Sequence, residues 1–377
     1  MSYDVIVLGV GGFGSGAVYH CARRGLRVLG IERFGVAHDL GSSHGETRII
    51  RKAYFEHPDY VPLLVRAYEL WRELEAESER SLLHLCGLML AGPPEGEAVG
   101  GARLSARLHN LKLENFTAQE ARERFPGFRF RDEFEAVYEP EAGYLEVENC
   151  VRTHIERATA AGAELRTNET VTGWKSDGRS VRVTTDRGEY HAANLIITAG
   201  AWASQVLAEL HIPLEVLRKP LFWHRVSTSD YNLDRGGPAY LYEMPDGCFY
   251  GFPSLDGEIL KVAEHSGGRP VVNPLEVDRT IHDSDTAPMR NFLTEAMPGV
   301  QPEPMRHSVC MYTMTPDRHF IVDRHPEFAN VAIGAGFSGH GFKFTSSLGE
   351  ALADLATKGE TSLPIGFLSF HRSALRM

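Results

Sequence analysis

Apolar residues follow two rhythms along this chain, and the points where the rhythm changes mark its elements. Tyr3 to Leu8 is a short, nearly unbroken apolar run rich in β-branched residues, which predicts a strand buried on both faces of a parallel sheet. Gly9-Val10-Gly11-Gly12-Phe13-Gly14 follows at once, Ala17 to Arg24 reads as a helix stopped by Gly25, and Leu26 to Ile31 is a second strand ending at Glu32. Residues 35 to 50, rich in Gly, Ser and His, read as a loop. Helical spacing returns from Pro62 to Glu79, where Leu63, Ala67, Leu70, Trp71 and Leu74 share one face and the charged residues the other. Residues 92 to 101 read as a turn-rich link, and Thr117 with Glu120 three positions on forms a capping box opening a short helix within Phe116 to Phe125.

Ala142 to Ala161 reads as strand or turn followed by helix. Asp177-Gly178 and Asp186-Arg187-Gly188 then punctuate a β-meander over Val171 to Thr198, with Leu195 to Gly200 as another buried strand running into glycine. Residues 216 to 315 are β-rich, and Pro245-Asp246-Gly247 predicts a hairpin turn between Tyr240-Leu241-Tyr242 and Cys248-Phe249-Tyr250. Asn330 to Ile333 is a last buried strand, leading through Gly334 to Gly341 into a helix over about Ser346 to Thr357. Doubly wound α/β pieces thus sit at the start, middle and end, with β-rich inserts between them. The fold class is α/β: a Rossmann-like nucleotide-binding domain built from discontinuous segments, plus an α+β domain with a mainly antiparallel sheet.

Composition removes several alternatives. The 377 residues are 43% apolar and 24% charged, enough to bury a core without disulfide or metal staples, which excludes disordered, collagen-like and disulfide-scaffold classes. The net charge of -11 argues against nucleic acid and anionic membrane surfaces as partners. The five cysteines, Cys21, Cys86, Cys150, Cys248 and Cys310, form no CxxC or zinc-finger spacing, the usage of a reducing compartment. No apolar run reaches membrane-helix length, Val5 to Leu8 lacks a signal-peptide n-region, and Ala374-Leu375-Arg376-Met377 is not the Ser-Lys-Leu address. The expected location is cytoplasmic. No metal-ligand or Ser/His/Asp constellation stands out.

Gly9-x-Gly11-x-x-Gly14 has a mechanical reading. The first glycine permits the tight turn out of the strand, the second lets backbone approach a pyrophosphate, and the third lets helix and strand pack closely. Glu32 ends the second strand, where a carboxylate accepts hydrogen bonds from a ribose and repels a 2′-phosphate. Strand, glycines, helix, strand and acid in this order predict dinucleotide binding, with FAD and NAD both open.

Three further segments carry a resemblance. Gly41-Ser42-Ser43-His44-Gly45-Glu46-Thr47-Arg48-Ile49-Ile50-Arg51-Lys52-Ala53-Tyr54 resembles the flavin-side loop of the monomeric sarcosine oxidase family. Val309-Cys310-Met311-Tyr312-Thr313 is similar to the segment on which that family carries its covalent flavin, and Gly336 to Lys343 to its C-terminal flavin and substrate loop. The likeness runs in order from Tyr3 to Arg372, and relatives include N-methyltryptophan oxidase and pipecolate oxidase. It implies an FAD enzyme that oxidises the secondary amine of a small N-methyl amino acid such as sarcosine. Hydride goes to flavin, O2 becomes H2O2, and the imine hydrolyses to glycine and formaldehyde. It also implies a monomer. On this reading residues 1–80, 146–215 and 320–377 bind FAD, and 81–145 and 216–319 form the substrate domain.

The same resemblance assigns residues. Cys310, otherwise a buried core thiol, corresponds to the cysteine that forms a thioether to the flavin 8α carbon. Only seven residues are lysine, and two of them, Lys261 and Lys343, sit in apolar company. Lys261 reads either as the solvent face of an alternating strand or, by resemblance, as a charge over the flavin that stabilises reduced oxygen. Arg51 and Lys343 are the carboxylate anchors, with a surface ion pair as the rival reading for Arg51. Arg48 would lie by the flavin ring and favour its anionic reduced form. Ser43, His44, Thr47, Val171, Gly200, Gly339 and His340 are implied flavin contacts. Tyr54, Tyr250, Tyr312 and His265 correspond to pocket residues, His265 as a histidine of ordinary pKa near 6.5 that biases the substrate amine toward its neutral form. Ser42-Ser43-His44-Gly45-Glu46 departs from the paired histidines and Gly-Asp-Thr-Arg common in the family, and with Arg51-Lys52-Ala53-Tyr54 looks closer to pipecolate oxidase. Two alternatives therefore stand: an oxidase of cyclic imino acids such as L-pipecolate or proline, and a flavoprotein dehydrogenase or binding scaffold with little O2 reactivity.

Overall fold

The computed structural model describes residues 2–375; residues 1, 376 and 377, the last two within the C-terminal tetrapeptide, lie outside it. Five parallel strands form the centre of one sheet, in the order Glu164–Arg166, Val28–Ile31, Ser2–Leu8, Glu189–Ile197, Val331–Ala335. They come from three separate stretches of chain, as the interleaved pattern implies. Ser2–Leu8 has its sequence neighbour Val28–Ile31 on one side and the distant Glu189–Ile197 on the other. Strand order reverses there, which opens a crevice at the carboxyl ends where ligands of such sheets bind. Val171–Ser176 and Val181–Thr185 extend the sheet as the antiparallel meander that the Asp-Gly turns predict.

A second, nine-stranded sheet is antiparallel apart from one pair, Leu88–Gly92 beside Ala239–Met244. Its longest strands, Glu215–Val226 and Val300–Met314, pair along their lengths, and Ile259–Glu264 flanks the former. The hairpin Ala239–Met244 and Gly247–Gly251 forms across Pro245-Asp246 as expected. Helix Gly12–Ala22 is buried along its whole length, so it has no polar face and no amphipathic signal.

Several expectations are corrected. The helix expected over Ala17 to Arg24 begins at Gly12, inside the glycine motif, and Leu195 to Gly200 continues the third meander strand rather than starting another. The loop assigned to residues 35 to 50 ends in a strand, Thr47–Ile50, which pairs with Gly143–Glu146 in a small third sheet. The second half of the link assigned to residues 92 to 101 is helix, Glu97–His109, after a turn over 94–96. Gly100 and Gly101 suggested a turn, but a Cβ at Gly101 would meet the Phe55 carbonyl, so glycine serves close packing there. The β-rich span also holds a helix, Asp283–Ala296.

Candidate active site

The glycine turn is built by exclusion. Gly9 has φ +83°, and a Cβ on it would lie 2.6 Å from the Thr198 carbonyl oxygen; a Cβ on Gly14 would overlap the Gly9 carbonyl. Gly11 meets nothing nearer than Ser43 Oγ at 3.8 Å, and that hydroxyl accepts from the Gly12 N–H at 3.1 Å. At the end of Val28–Ile31, Glu32 accepts from the Val10 and Phe34 N–H groups at 2.8 and 3.0 Å. Burial would raise its pKa, but these bonds and His38 hold it below the usual carboxylate range. One cleft runs from Gly9 and Glu32 past Arg48 to Tyr250, Tyr312 and Lys343.

The loop after Gly41 forms part of the cleft wall, and its turn is tied from behind. Glu148 accepts from the Gly45 and Glu46 N–H groups, while Lys261 Nζ donates to the carbonyls of Gly45 at 2.7 Å and Thr47 at 2.6 Å. Lys261 is 3% exposed, so the solvent-face alternative is wrong. The loop carrying the Gly45 and Thr47 carbonyls and the ring of Phe252, 4.3 Å from its ammonium, cover that face. Burial, reinforced by the Arg48 charge, pushes its pKa well below the ordinary lysine value. Arg48 donates to the carbonyls of Thr47 and Ser42 and approaches Cys310 Sγ at 3.4 Å. Burial alone would raise the Cys310 thiol, but the neighbouring His44 and the Arg48 charge bring it down to about 7.

A second charged cluster closes the far end. Arg51 pairs with Glu56 at 2.5 Å, and its guanidinium lies 4.2 and 4.0 Å from the ring centroids of Tyr54 and Phe55. The pair is buried, which corrects the surface-pair reading. Lys343 Nζ donates to the His340 carbonyl at 2.7 Å and lies 5.1 Å from the Tyr54 ring. Burial and then the Arg51 charge push Lys343 down to about 7. Burial would raise Glu56, but Arg51, His340 and Lys343 hold it at about 2. His340 Nε2 faces the Arg318 carbonyl at 3.0 Å and must donate to it, so Nδ1 accepts from Tyr54 Oη at 2.6 Å.

Between the clusters stands an aromatic wall. Tyr250, Tyr312 and His265 border the cleft together, with His265 Nδ1 3.4 Å from Tyr312 Oη. Burial lowers His265 to about 4, so it is neutral at physiological pH and does not titrate near 6.5 as its type suggests.

Of the residues singled out by sequence, all border the cleft except Gly14, His44, Thr47, Tyr54, Lys261 and Cys310. Sequence reasoning missed Glu56, five positions after Arg51, and Glu148, both acids inside otherwise helical or loop text. Lys219, buried inside an apolar strand, was missed as well. A charged residue amid strand-forming apolar neighbours was the available signal. Among the described residues no group of three or more His, Cys, Asp or Glu is arranged to hold a metal ion.

The chain matches the family described as FAD dependent oxidoreductase over residues 4–355. It belongs to that family. This FAD-dependent oxidoreductase is 42% identical to the monomeric sarcosine oxidase of Streptomyces avermitilis over 99% of its own length and 98% of the relative's. It is 40% identical to that of Bacillus sp. (strain NS-129), with the same coverage, and 37% identical to the N-methyl-L-tryptophan oxidase of Yersinia pestis over 99% and 100% of the two chains. Among solved structures, NikD, an amino acid oxidase of nikkomycin biosynthesis, superposes with a TM-score of 0.85 at 28% identity, covering 98% of this chain and 97% of that one. The residues present fit FAD: the glycine turn excludes side chains, Glu32 is poised at the strand end, and two buried donors, Arg33 Nη1 and Trp202 Nε1, have no hydrogen-bond partner among the described residues bordering the same cleft.

Proposed function

We propose that this FAD-dependent oxidoreductase oxidises the secondary amine of a small N-methyl amino acid of the sarcosine type. The observation that carries the reading is the convergence of Arg51 and Lys343 on the Tyr54 ring at one end of the FAD cleft, with Glu56 as the acid paired to Arg51. Two cations and one acid leave a positive end suited to one carboxylate, which competes with Glu56 for the Arg51 fork. Whole-length identity of about 40% to sarcosine oxidases supports the same substrate class.

Bound FAD supplies the hydride acceptor and passes the electrons to O2, giving H2O2. Its nucleotide half would rest on Gly9, Gly11 and Glu32, with Ser43, Val171, Gly200, Gly339 and His340 along its length. Cys310, whose thiolate is available near neutral pH, would carry the covalent link, helped by Arg48 and His44. The chain's own groups then prepare the substrate. Arg51 and Lys343 fix the carboxylate, which leaves the amine against Tyr250, Tyr312 and a neutral His265. Such low-polarity walls beside fixed cations disfavour an ammonium and so free the nitrogen lone pair that assists loss of hydride from the adjacent carbon. Lys261 holds a positive charge behind the Arg48 loop, on the side we assign to oxygen reduction. We read residues 1–80, 146–215 and 320–377 as the FAD-binding unit and 81–145 and 216–319 as the substrate unit, in a monomeric cytoplasmic enzyme whose five cysteines form no disulfide.

Mixing the yellow holoenzyme with sarcosine under argon, then with L-pipecolate, tests the reading. Bleaching by sarcosine, with colour and peroxide returning on air, is the expected result. Bleaching by L-pipecolate alone would move the substrate to cyclic imino acids. Colour that fails to return on air would make the protein a dehydrogenase.

A further inference from the structure

One buried lysine takes no part in the site described above. Lys219, 2% exposed, stands on strand Glu215–Val226 opposite Cys310 of strand Val300–Met314. Its Nζ donates to three consecutive carbonyls, those of His265 at 3.2 Å, Ser266 at 2.5 Å and Gly267 at 3.3 Å, and it lies 5.2 Å from the centroid of the Tyr312 ring. We infer that Lys219 is a positioning residue, which pins the His265–Gly267 turn against Tyr312 and so sets the aromatic wall of the substrate cavity. The inference rests on reading that cavity as the substrate site.

An ammonium carries three N–H donors, and three carbonyls converging on one point use all of them. Backbone bonds hold only the two ends of the turn: the His265 N–H donates to the Cys248 carbonyl at 2.6 Å, and Arg269–Pro270 pairs with Leu217 and Arg218. The turn runs into two glycines with positive φ, Gly267 at +61° and Gly268 at +121°, neither of which has a side chain to pack. A Cβ on Gly268 would press on Lys219 Cδ at 3.2 Å, so the lysine stem lies directly against the turn. On the opposite side Ser266 Oγ bridges Glu264 and the Cys248 N–H, both at 2.8 Å. The turn is therefore gripped between Ser266 and Lys219, with His265 projecting into the cleft beside Tyr312. The Lys219 charge also helps to keep His265 neutral.

The grip is sensitive to pH. Groups facing the ammonium are Glu264 at the end of strand Ile259–Glu264, Cys248 on strand Gly247–Gly251, Cys310 across the strand pair, His265 in the turn and the face of Tyr312. Burial pushes Lys219 down to about 8, opposed first by Glu264. Below that value all three donors are present; above it the neutral amine has two, and one carbonyl loses its partner.

Hydrogen exchange of the holoenzyme, read over residues 264–268 about one pH unit either side of 8 and corrected for intrinsic rates, tests this without substrate. The turn should exchange several-fold faster on the alkaline side, and Lys219→Met should show the fast rate at both pH values with exchange elsewhere unchanged. With sarcosine, Lys219→Met should raise KM about ten-fold while kcat stays within about two-fold, and Lys219→Arg should recover part of the loss. Unchanged exchange in the turn would overturn the inference, as would a general rise in exchange over the whole sheet. Should the protein oxidise no sarcosine, the functional reading fails and the exchange result still decides Lys219. Should Lys219→Met not fold, the pH response of the parent decides it.

Discussion

The Arg48 guanidinium lies 3.4 Å from the sulfur of Cys310, and the two residues are 262 positions apart in the chain. Arg48 borders the cleft and Cys310 does not, so one cation serves both the thiol and the open site. A buried cysteine alone resists ionisation. Here the neighbouring His44 and the Arg48 charge outweigh that cost and bring the thiol to about 7.

Covalent attachment should follow from that thiolate. When apoprotein is incubated with FAD, flavin that survives acid precipitation should accumulate faster as pH rises through about 7 and then level off. Cys310→Ser should retain none after precipitation while still binding FAD. Arg48→Ala should shift the rise to higher pH. A pH-independent rate would separate the attachment chemistry from the thiol.

Lys261 is held by the Gly45 and Thr47 carbonyls at the back of the same loop. Lys261→Met should slow reoxidation by O2 by about a hundred-fold or more, since a charge fixed in a dry site contributes roughly 3 kcal/mol. Reduction by substrate should change far less. Because burial and Arg48 depress the Lys261 pKa, its charge is lost as pH rises, and parent reoxidation should slow with rising pH while Lys261→Met stays flat. Stopped-flow half-reactions measure both steps.

Truncating the Arg51 fork should weaken binding more than chemistry with oxygen. Arg51→Ala is expected to raise KM about thirty-fold or more, the cost of losing one partner of a buried charge pair being about 2–5 kcal/mol. Oxygen reactivity of the reduced enzyme should change little. Steady-state kinetics at varied substrate and O2 separate the two, and a larger effect on O2 would remove Arg51 from the carboxylate clamp.

Lys343 titrates near neutral pH. Burial and Arg51 bring it to about 7, so in the free enzyme it is charged below that pH and neutral above it. An anion binding beside it favours the charged form and takes up a proton. A carboxylate competitor without an amine, such as propionate, should therefore bind progressively more weakly as pH rises above about 7, by up to ten-fold per unit. Lys343→Met should bind weakly at every pH, with the slope gone. Titration of the flavin absorbance by propionate supplies the binding constants.

Much of the fold was legible from local pattern. Apolar runs marked four of the five parallel strands, all but the short Glu164–Arg166, Asp-Gly turns marked the meander, and the Thr117–Glu120 capping box stands in the structure as read. Failures came where glycine served packing rather than turning. Gly100 and Gly101 looked like a link, yet helix Glu97–His109 runs through them because it crosses the Phe55 backbone closely. Thr47–Ile50 looked like loop because its strand partner, Gly143–Glu146, lies about a hundred residues away.

The chain's own text determined the dinucleotide turn, the acid at the strand end and the types of residue available to a flavin amine oxidase. These depend on neighbours within about thirty residues, where spacing alone sets geometry. Tertiary structure alone decided which charges meet. It paired Arg51 with Glu56, brought Arg48 to Cys310, buried Lys261 and Lys219 on backbone carbonyls, and withdrew His265 from titration near neutral pH. Charge states in a site follow from desolvation and from partners brought together by sheets assembled from distant segments, and neither is written in any local stretch of sequence.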